Sequence, residues 1–117
     1  MSVHRSSFLE LSCFEEDVIA ASDQRPVVLD FCADWCRSCE AVTSTLEDLA
    51  EKGNGTFQVV KFDIETDREL AARLGVQGLP EVRVYRGGEV VDAVRGPLAG
   101  VQVRALIDRS ILGAGQD

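Results

Sequence analysis

The chain has 117 residues, 45% of them apolar and 27% charged, with 12 basic against 20 acidic groups and a net charge of −8. That length suits one domain of roughly 100–200 residues, and the balance is that of a globular protein rather than a disordered tail, so residues 1–117 are expected to form a single domain. The acidic surplus excludes a nucleic-acid partner, which needs a basic footprint for the phosphates.

A chain of this size buries about two-thirds of its surface and needs no metal or disulfide staple to fold. The opening MSVHRSSFLELS has neither an apolar core nor a small-residue cleavage pattern, so no secretory signal is expected, although a form cut from a longer precursor reads the same way. No run approaches the ~18 apolar residues of a membrane span. The expectation is a cytoplasmic protein in a reducing compartment, whose four cysteines are catalytic or metal-binding rather than structural.

The first elements are a weak strand over Val3 to Leu9 and a short helix from Phe14 to about Ala21. That helix is opened by a capping box with Ser12 as N-cap and Glu15 reaching back. Pro26 introduces Val27-Val28-Leu29-Asp30-Phe31, an apolar, β-branched run that fits a strand covered on both faces. Asp30 is the anomaly in it. From Cys36 to Lys52 the apolar positions Cys39, Val42, Leu46 and Leu49 mark one helical face, with Gly53 as the residue beyond its end.

Phe57 to Asp63 reads as a strand, and Thr66 with Glu69 as a second capping box. The helix it opens carries Leu70, Ala71 and Leu74 on one face and Gly75 behind it. Val82 to Tyr85, Gly87-Gly88 and Val90 to Val94 make a hairpin. Val103, Leu106, Ile107, Ser110 and Ile111 form a last helical stripe, stopped by Gly113. Strands separated by helices imply parallel pairing and the hairpin adds antiparallel strands, so the class is α/β with a mixed sheet sandwiched between helices.

Trp35-Cys36-Arg37-Ser38-Cys39 falls where the buried strand gives way to a helix. Two cysteines three apart at a helix start lie near each other, one exposed in the first turn and one tucked behind. The free N–H groups and positive dipole end there stabilise a thiolate, the only form of cysteine that attacks a disulfide. Cys36 is therefore the candidate nucleophile and Cys39 the candidate resolving thiol.

Taken in order, VVLDFCADWCRSC, KFDIETD, LGVQGLP, the YRGGEV hairpin and RGPLAG resemble the thioredoxin family over roughly residues 13–112. The resemblance implies the thioredoxin fold, with a mixed four- to five-stranded sheet, and dithiol–disulfide exchange with protein disulfides. It implies no cofactor beyond a redox-active Cys36–Cys39 disulfide, a reductase or other thiol–disulfide partner protein, no membrane, and a monomer. Cys36 then resembles the attacking and Cys39 the resolving cysteine, Asp30 the buried acid beneath them, and Lys61 its lysine neighbour. Trp35 resembles the indole beside the site, Leu79-Pro80 the cis-proline loop facing it, and Gly96 the glycine that completes the docking surface, to which Arg37 and Ser38 also belong.

Each of these positions has a plainer reading. Asp30 is either desolvated, with a raised pKa suited to exchanging a proton with Cys39, or an acid exposed at a strand end. Lys61 either tunes Asp30 or simply snorkels from its strand. Arg37 and Ser38 stand where the family has Gly-Pro. Arg37 either stabilises the Cys36 thiolate, making the disulfide a stronger oxidant, or points to solvent. Ser44 replaces a helix-kinking proline, so the helix is expected to run straighter. Cys32, in place of a tryptophan, reads as an inert core-filling thiol or, sharing a face with Asp30, as a third thiol near the pair; Cys13 reads as core-filling or as a site of intermolecular pairing. Glu81 and Arg83 interrupt an apolar strand, either pairing with each other or a neighbour or opening that face to a partner. His4 is assigned nothing.

Two rival classes remain. Cys32, Cys36 and Cys39 have the C-x3-C-x2-C spacing of an iron–sulfur site, but the barrel that goes with it needs ~200 residues, and zinc with Cys13 has poor geometry. The second rival is a thioredoxin-like binding module or co-chaperone that holds a client by Pro80 with little redox turnover.

Overall fold

The computed structural model describes residues 7–96 and 99–112. Pro26 delivers the chain into β2, Val27–Cys32, and every residue of that strand is buried, as a strand covered by helices on both faces must be. Around it lie β1 (Phe8–Glu10), β3 (Gln58–Asp63), β4 (Glu81–Arg86) and β5 (Glu89–Arg95), in a five-stranded sheet of order β1-β3-β2-β4-β5. β1, β3 and β2 run parallel, whereas β4 is antiparallel to β2, and β5 to β4. The mixed sheet is thus the expected one. Among the described residues the weak first strand runs over Phe8–Glu10, one residue past its expected end at Leu9; residues 3–6 of its expected span lie outside them.

Strand alternation sends side chains to two separate cores. Val28, Val82 and Val84 meet Val42, Leu46 and Ala50 of α1 (Arg37–Gly53) and Val103, Leu106 and Ile107 of α3 (Ala99–Ile107). On the other face Val27, Leu29, Phe31 and Tyr85 meet Val18 and the Leu70-Ala71 pair of α2 (Arg68–Arg73). α1 runs unbroken for 17 residues, with Ser44 inside it. α3 continues as a π-helical stretch over Asp108–Leu112; Gly113, expected to stop it, lies outside the described residues, as do Pro97 and Leu98.

Helix ends are where sequence and structure part. The first helix is π-helical over Glu15–Ala20 and tightens to a 3-10 turn at Ala21–Asp23. Its opening N–H groups have no side-chain cap; instead Asp17 reaches back, its Oδ2 accepting from Ser12 N at 2.8 Å and Cys13 N at 2.9 Å, just ahead of the helix. At α2 the cap is Asp67, accepting from Leu70 N at 3.0 Å, while the Thr66 hydroxyl donates to Asp63 O. Asp67, next to the expected Thr66, thus caps α2, while Asp17 takes the reach-back part expected of Glu15. α1 ends on Asn54, the left-handed residue (φ 53°), not on Gly53.

Gly53 serves a different purpose. A Cβ there falls 2.7 Å from Phe57 Cε1, a ring buried in the core between α1 and the sheet. Helix propensity alone predicts that Gly53→Ala stabilises by about 1 kcal/mol. The close approach predicts instead a loss of about 1–3 kcal/mol by overpacking, measurable as a lower urea midpoint at unchanged m-value. At the hairpin, Gly87 (φ 58°) and Gly88 (φ 82°) both take the positive dihedrals of a type I′ turn, which fixes the β4–β5 register.

Candidate active site

β2 ends at Cys32, and the turn that follows is closed by Cys36 N donating to Ala33 O at 3.0 Å. Cys36 is the N-cap of α1, with extended backbone (φ −98°, ψ 99°), and Cys39 lies in the first turn. A disulfide joins them across a Cα separation of 5.3 Å. Cys36 is 7% and Cys39 2% exposed, so the attacking candidate is the more accessible, though both are nearly covered in this oxidised form. The Ser38 hydroxyl stands 3.7 Å from Cys36 Sγ, and Arg37 is exposed beside it. Both sulfurs sit at the positive end of a 17-residue helix, the electrostatic setting that favours a thiolate once the bond is reduced.

Asp30 is fully buried in β2, between Lys61 of β3 and Val82 of β4 in the sheet register. An acid exposed at a strand end is therefore excluded. Its Oδ2 accepts the Thr43 hydroxyl at 2.7 Å, while Oδ1 has no hydrogen-bond partner among the described residues. Burial pushes the carboxyl from 3.8 up to about 7; the Thr43 hydrogen bond and the Lys61 charge pull it down, and Glu47 adds a smaller upward push. Lys61, half-buried, stands opposite Asp30 in the register, and its charge favours the ionised carboxyl.

Cys32 packs in one cluster with Cys36, Cys39 and Leu79 and donates its thiol hydrogen to Phe62 O at 3.5 Å. Burial, with the Asp30 charge behind it, pushes this thiol to about 12, so it stays protonated and inert as expected. Cys13 differs from expectation: it is exposed at the mouth of the first helix, because its backbone is drawn out to Asp17, and does not fill the core.

The remaining candidates come from loops. Trp35 is 64% exposed, and its Nε1 donates to Glu65 Oε2 at 3.0 Å; Glu65 is held in turn by Arg68 at 3.0 Å. The Leu79–Pro80 peptide is cis, Leu79 packs on the cysteine cluster, and Gly96 N donates to Pro80 O at 2.8 Å. Leu79, Pro80 and Gly96 thus join the β4 entry to the β5 exit on the disulfide side of the sheet. Gly96 holds a positive φ of 100° there, a conformation that glycine adopts without strain.

Glu81 and Arg83 are paired. Arg83 Nε donates to Glu81 Oε2 at 2.7 Å and its guanidinium lies over the Phe31 ring at 4.8 Å, with Arg95 at 4.0 Å from the same carboxylate oxygen. Because Glu81 is buried, Arg83→Met is expected to cost about 3 kcal/mol by stranding its charge, whereas replacing both partners by apolar residues is expected to be near neutral. Urea unfolding of the single and double variants checks this, and equal losses would contradict it.

Among the described residues no group of three His, Cys, Asp or Glu is placed to hold a metal, and Cys36 and Cys39, two of the thiols that the iron–sulfur and zinc readings need, are bonded to each other. Two residues were missed from sequence. Thr43 was detectable in principle, one turn after Cys39 on the same helix face. Glu65, thirty residues from the indole it holds, carried no local signal.

The family model for thioredoxin matches residues 6–109. A thioredoxin of Streptomyces clavuligerus is 40% identical over 83 residues, 71% of this chain and 75% of that one. A thioredoxin of Pseudomonas aeruginosa is 31% identical over 111 residues, 95% of this chain and 100% of that one. Among solved structures, a mutant thioredoxin from Halobacterium salinarum superposes with a TM-score of 0.77 at 26% identity, covering 94% of this chain and 96% of that one.

Proposed function

The chain belongs to the thioredoxin family, whose members are thiol–disulfide oxidoreductases, and on that premise we propose that Cys36 and Cys39 exchange with disulfides of other proteins. The reduced Cys36 thiolate attacks a substrate sulfur, forming a mixed disulfide and releasing one substrate thiolate. Cys39 gives its proton to Asp30 and attacks Cys36 Sγ, releasing the second thiolate and closing the Cys36–Cys39 bond. Two electrons pass from the dithiol to the substrate, and a partner reductase or other dithiol protein restores them. A monomer in the cytosol is part of the same proposal.

The observation that carries it is a disulfide at the N-terminus of α1, with a fully buried carboxyl, Asp30, held against the same helix by Thr43; burial pushes that carboxyl up to about 7, a range suited to taking and returning a proton near neutral pH. Trp35, Arg37, Ser38, Leu79, Pro80 and Gly96 form the surface on which a substrate segment docks, with the Leu79 backbone available for strand-like pairing. The alternative of a client-holding module keeps the atypical Arg37–Ser38 pair in its favour, while the Glu81–Arg83 ion pair gives it no support from that strand. No described helix is long and apolar enough to cross a membrane.

The test is reduction of a protein disulfide by dithiothreitol with the chain at catalytic concentration. Acceleration over many turnovers supports the proposal. Client binding without acceleration returns the protein to the binding-module class.

A further inference from the structure

Cys39, Thr43 and Glu47 follow one another at four-residue intervals along α1, so they share one face, one turn apart. Asp30 meets the middle of that row, with Thr43 Oγ1 donating to Oδ2 at 2.7 Å and Oδ1 left without a hydrogen-bond partner among the described residues. The two oxygens of this carboxyl are therefore not equivalent. Oδ2 already accepts a hydroxyl hydrogen and is the poorer site for a second, so a proton arriving at Asp30 goes to Oδ1.

We propose that Thr43 is a positioning residue of the exchange reaction: by donating to Oδ2 it fixes the plane of the Asp30 carboxyl and makes Oδ1 the oxygen that takes the proton of Cys39. The proposal rests on the reading of Asp30 as proton acceptor. In the step it describes, the Cys39 S–H bond breaks, the proton passes to Oδ1, and the electron pair stays on sulfur to attack Cys36 Sγ.

The hydroxyl also holds the carboxylate form against the desolvation of the site. The other groups acting on Asp30 are few. Lys61 of β3 favours the ionised form, Glu47 of α1 opposes it, and the Cys32 thiol along β2 stays neutral. β4 offers Val82, and α3 brings Val103, Leu106 and Ile107 to this core, all apolar. Losing a hydrogen bond to the charged form is expected to move the Asp30 midpoint up by about one pH unit, leaving about a tenth of the base at a given pH well below that midpoint.

The experiment compares wild type, Thr43→Val, Thr43→Ala, Thr43→Ser, Asp30→Asn and the double variant Asp30→Asn/Thr43→Val. Two quantities are followed against pH: the Asp30 carboxyl carbon shift by NMR, and the stopped-flow rate at which Cys39 releases a small thiol from a Cys36 mixed disulfide. Thr43→Val and Thr43→Ala are expected to move both midpoints up together and Thr43→Ser to restore them, while Thr43→Val changes nothing when Asp30 is already Asn. A general loss of structure moves the Asp30 midpoint down toward its solvated value of 3.8, the opposite direction, and is not reversed by serine. If Asp30→Asn alters the rate profile but neither Thr43→Val nor Thr43→Ala moves either midpoint, the role of Thr43 is overturned and that of Asp30 stands. If Asp30→Asn leaves the profile as in wild type, the reading of Asp30 itself is overturned, and the proposal with it.

Discussion

Cys39→Ser is expected to reduce the protein to a single event per chain, a substrate held through Cys36 as a lasting mixed disulfide. The serine hydroxyl cannot attack the Cys36 sulfur, so the second bond exchange has no nucleophile and multiple turnover falls to the uncatalysed rate. Cys36→Ser is expected to trap nothing, because Cys39 is the more deeply covered of the two. Non-reducing mass spectrometry of each variant after exposure to a disulfide substrate reads the result. Cys13, exposed, is replaced by serine in both backgrounds so that any adduct is assigned to the pair; Cys32, with its thiol pushed to about 12, stays out of the chemistry. An adduct through Cys39, or continued turnover of Cys39→Ser, would contradict the division of roles.

Asp30→Asn is expected to change how stability depends on pH more than any other substitution. The carboxyl titrates at 3.8 when solvated and at about 7 in the fold, with burial the main cause. Below pH ~3.8 it is protonated in both states and folding incurs no penalty. As pH rises toward the folded value the unfolded chain ionises first, and stability falls by about 4 kcal/mol in all, the equivalent of a difference of about three pH units. Asparagine does not titrate but places an unpaired amide at the Oδ1 position, a constant cost of about 1–3 kcal/mol. The two stability curves should therefore cross, with wild type the more stable at about pH 4 and Asp30→Asn at about pH 8. Urea unfolding of the oxidised proteins across that range checks it, since other carboxylates such as Asp92 affect both curves equally. Parallel curves would mean that the site is better solvated than its burial indicates. Crossed curves would show an acid kept at a cost to the fold, for its proton.

What was legible from sequence was whatever depended on one local pattern. β2 announced itself by an unbroken apolar run, α1 by its three-four spacing, and the hairpin by two glycines, because period and positive φ are properties of neighbouring residues. The cysteine pair was legible for the same reason. The helix caps were not: Ser12 and Thr66 matched the pattern, but the reach back to Ser12 N comes from Asp17 rather than Glu15, and α2 is capped by Asp67. Contacts between elements were the other blind spot. The Thr43–Asp30 and Glu65–Trp35 hydrogen bonds exist only because α1 lies over β2 and the loop after β3 reaches the site. Glu81 and Arg83 looked equally suited to a partner or to each other until strand alternation put both side chains on one face beside Phe31.

Trp35 is the chain's one tryptophan and adjoins Cys36, so its fluorescence reports the state of the disulfide directly. The decisive measurement is that fluorescence against the poise of a thiol buffer. The account predicts a reversible two-electron transition, with a midpoint less negative than about −270 mV where Arg37 stabilises the reduced thiolate of Cys36 and near −270 mV where the exposed Arg37 points to solvent. No reversible transition at any poise would contradict thiol–disulfide exchange by this pair.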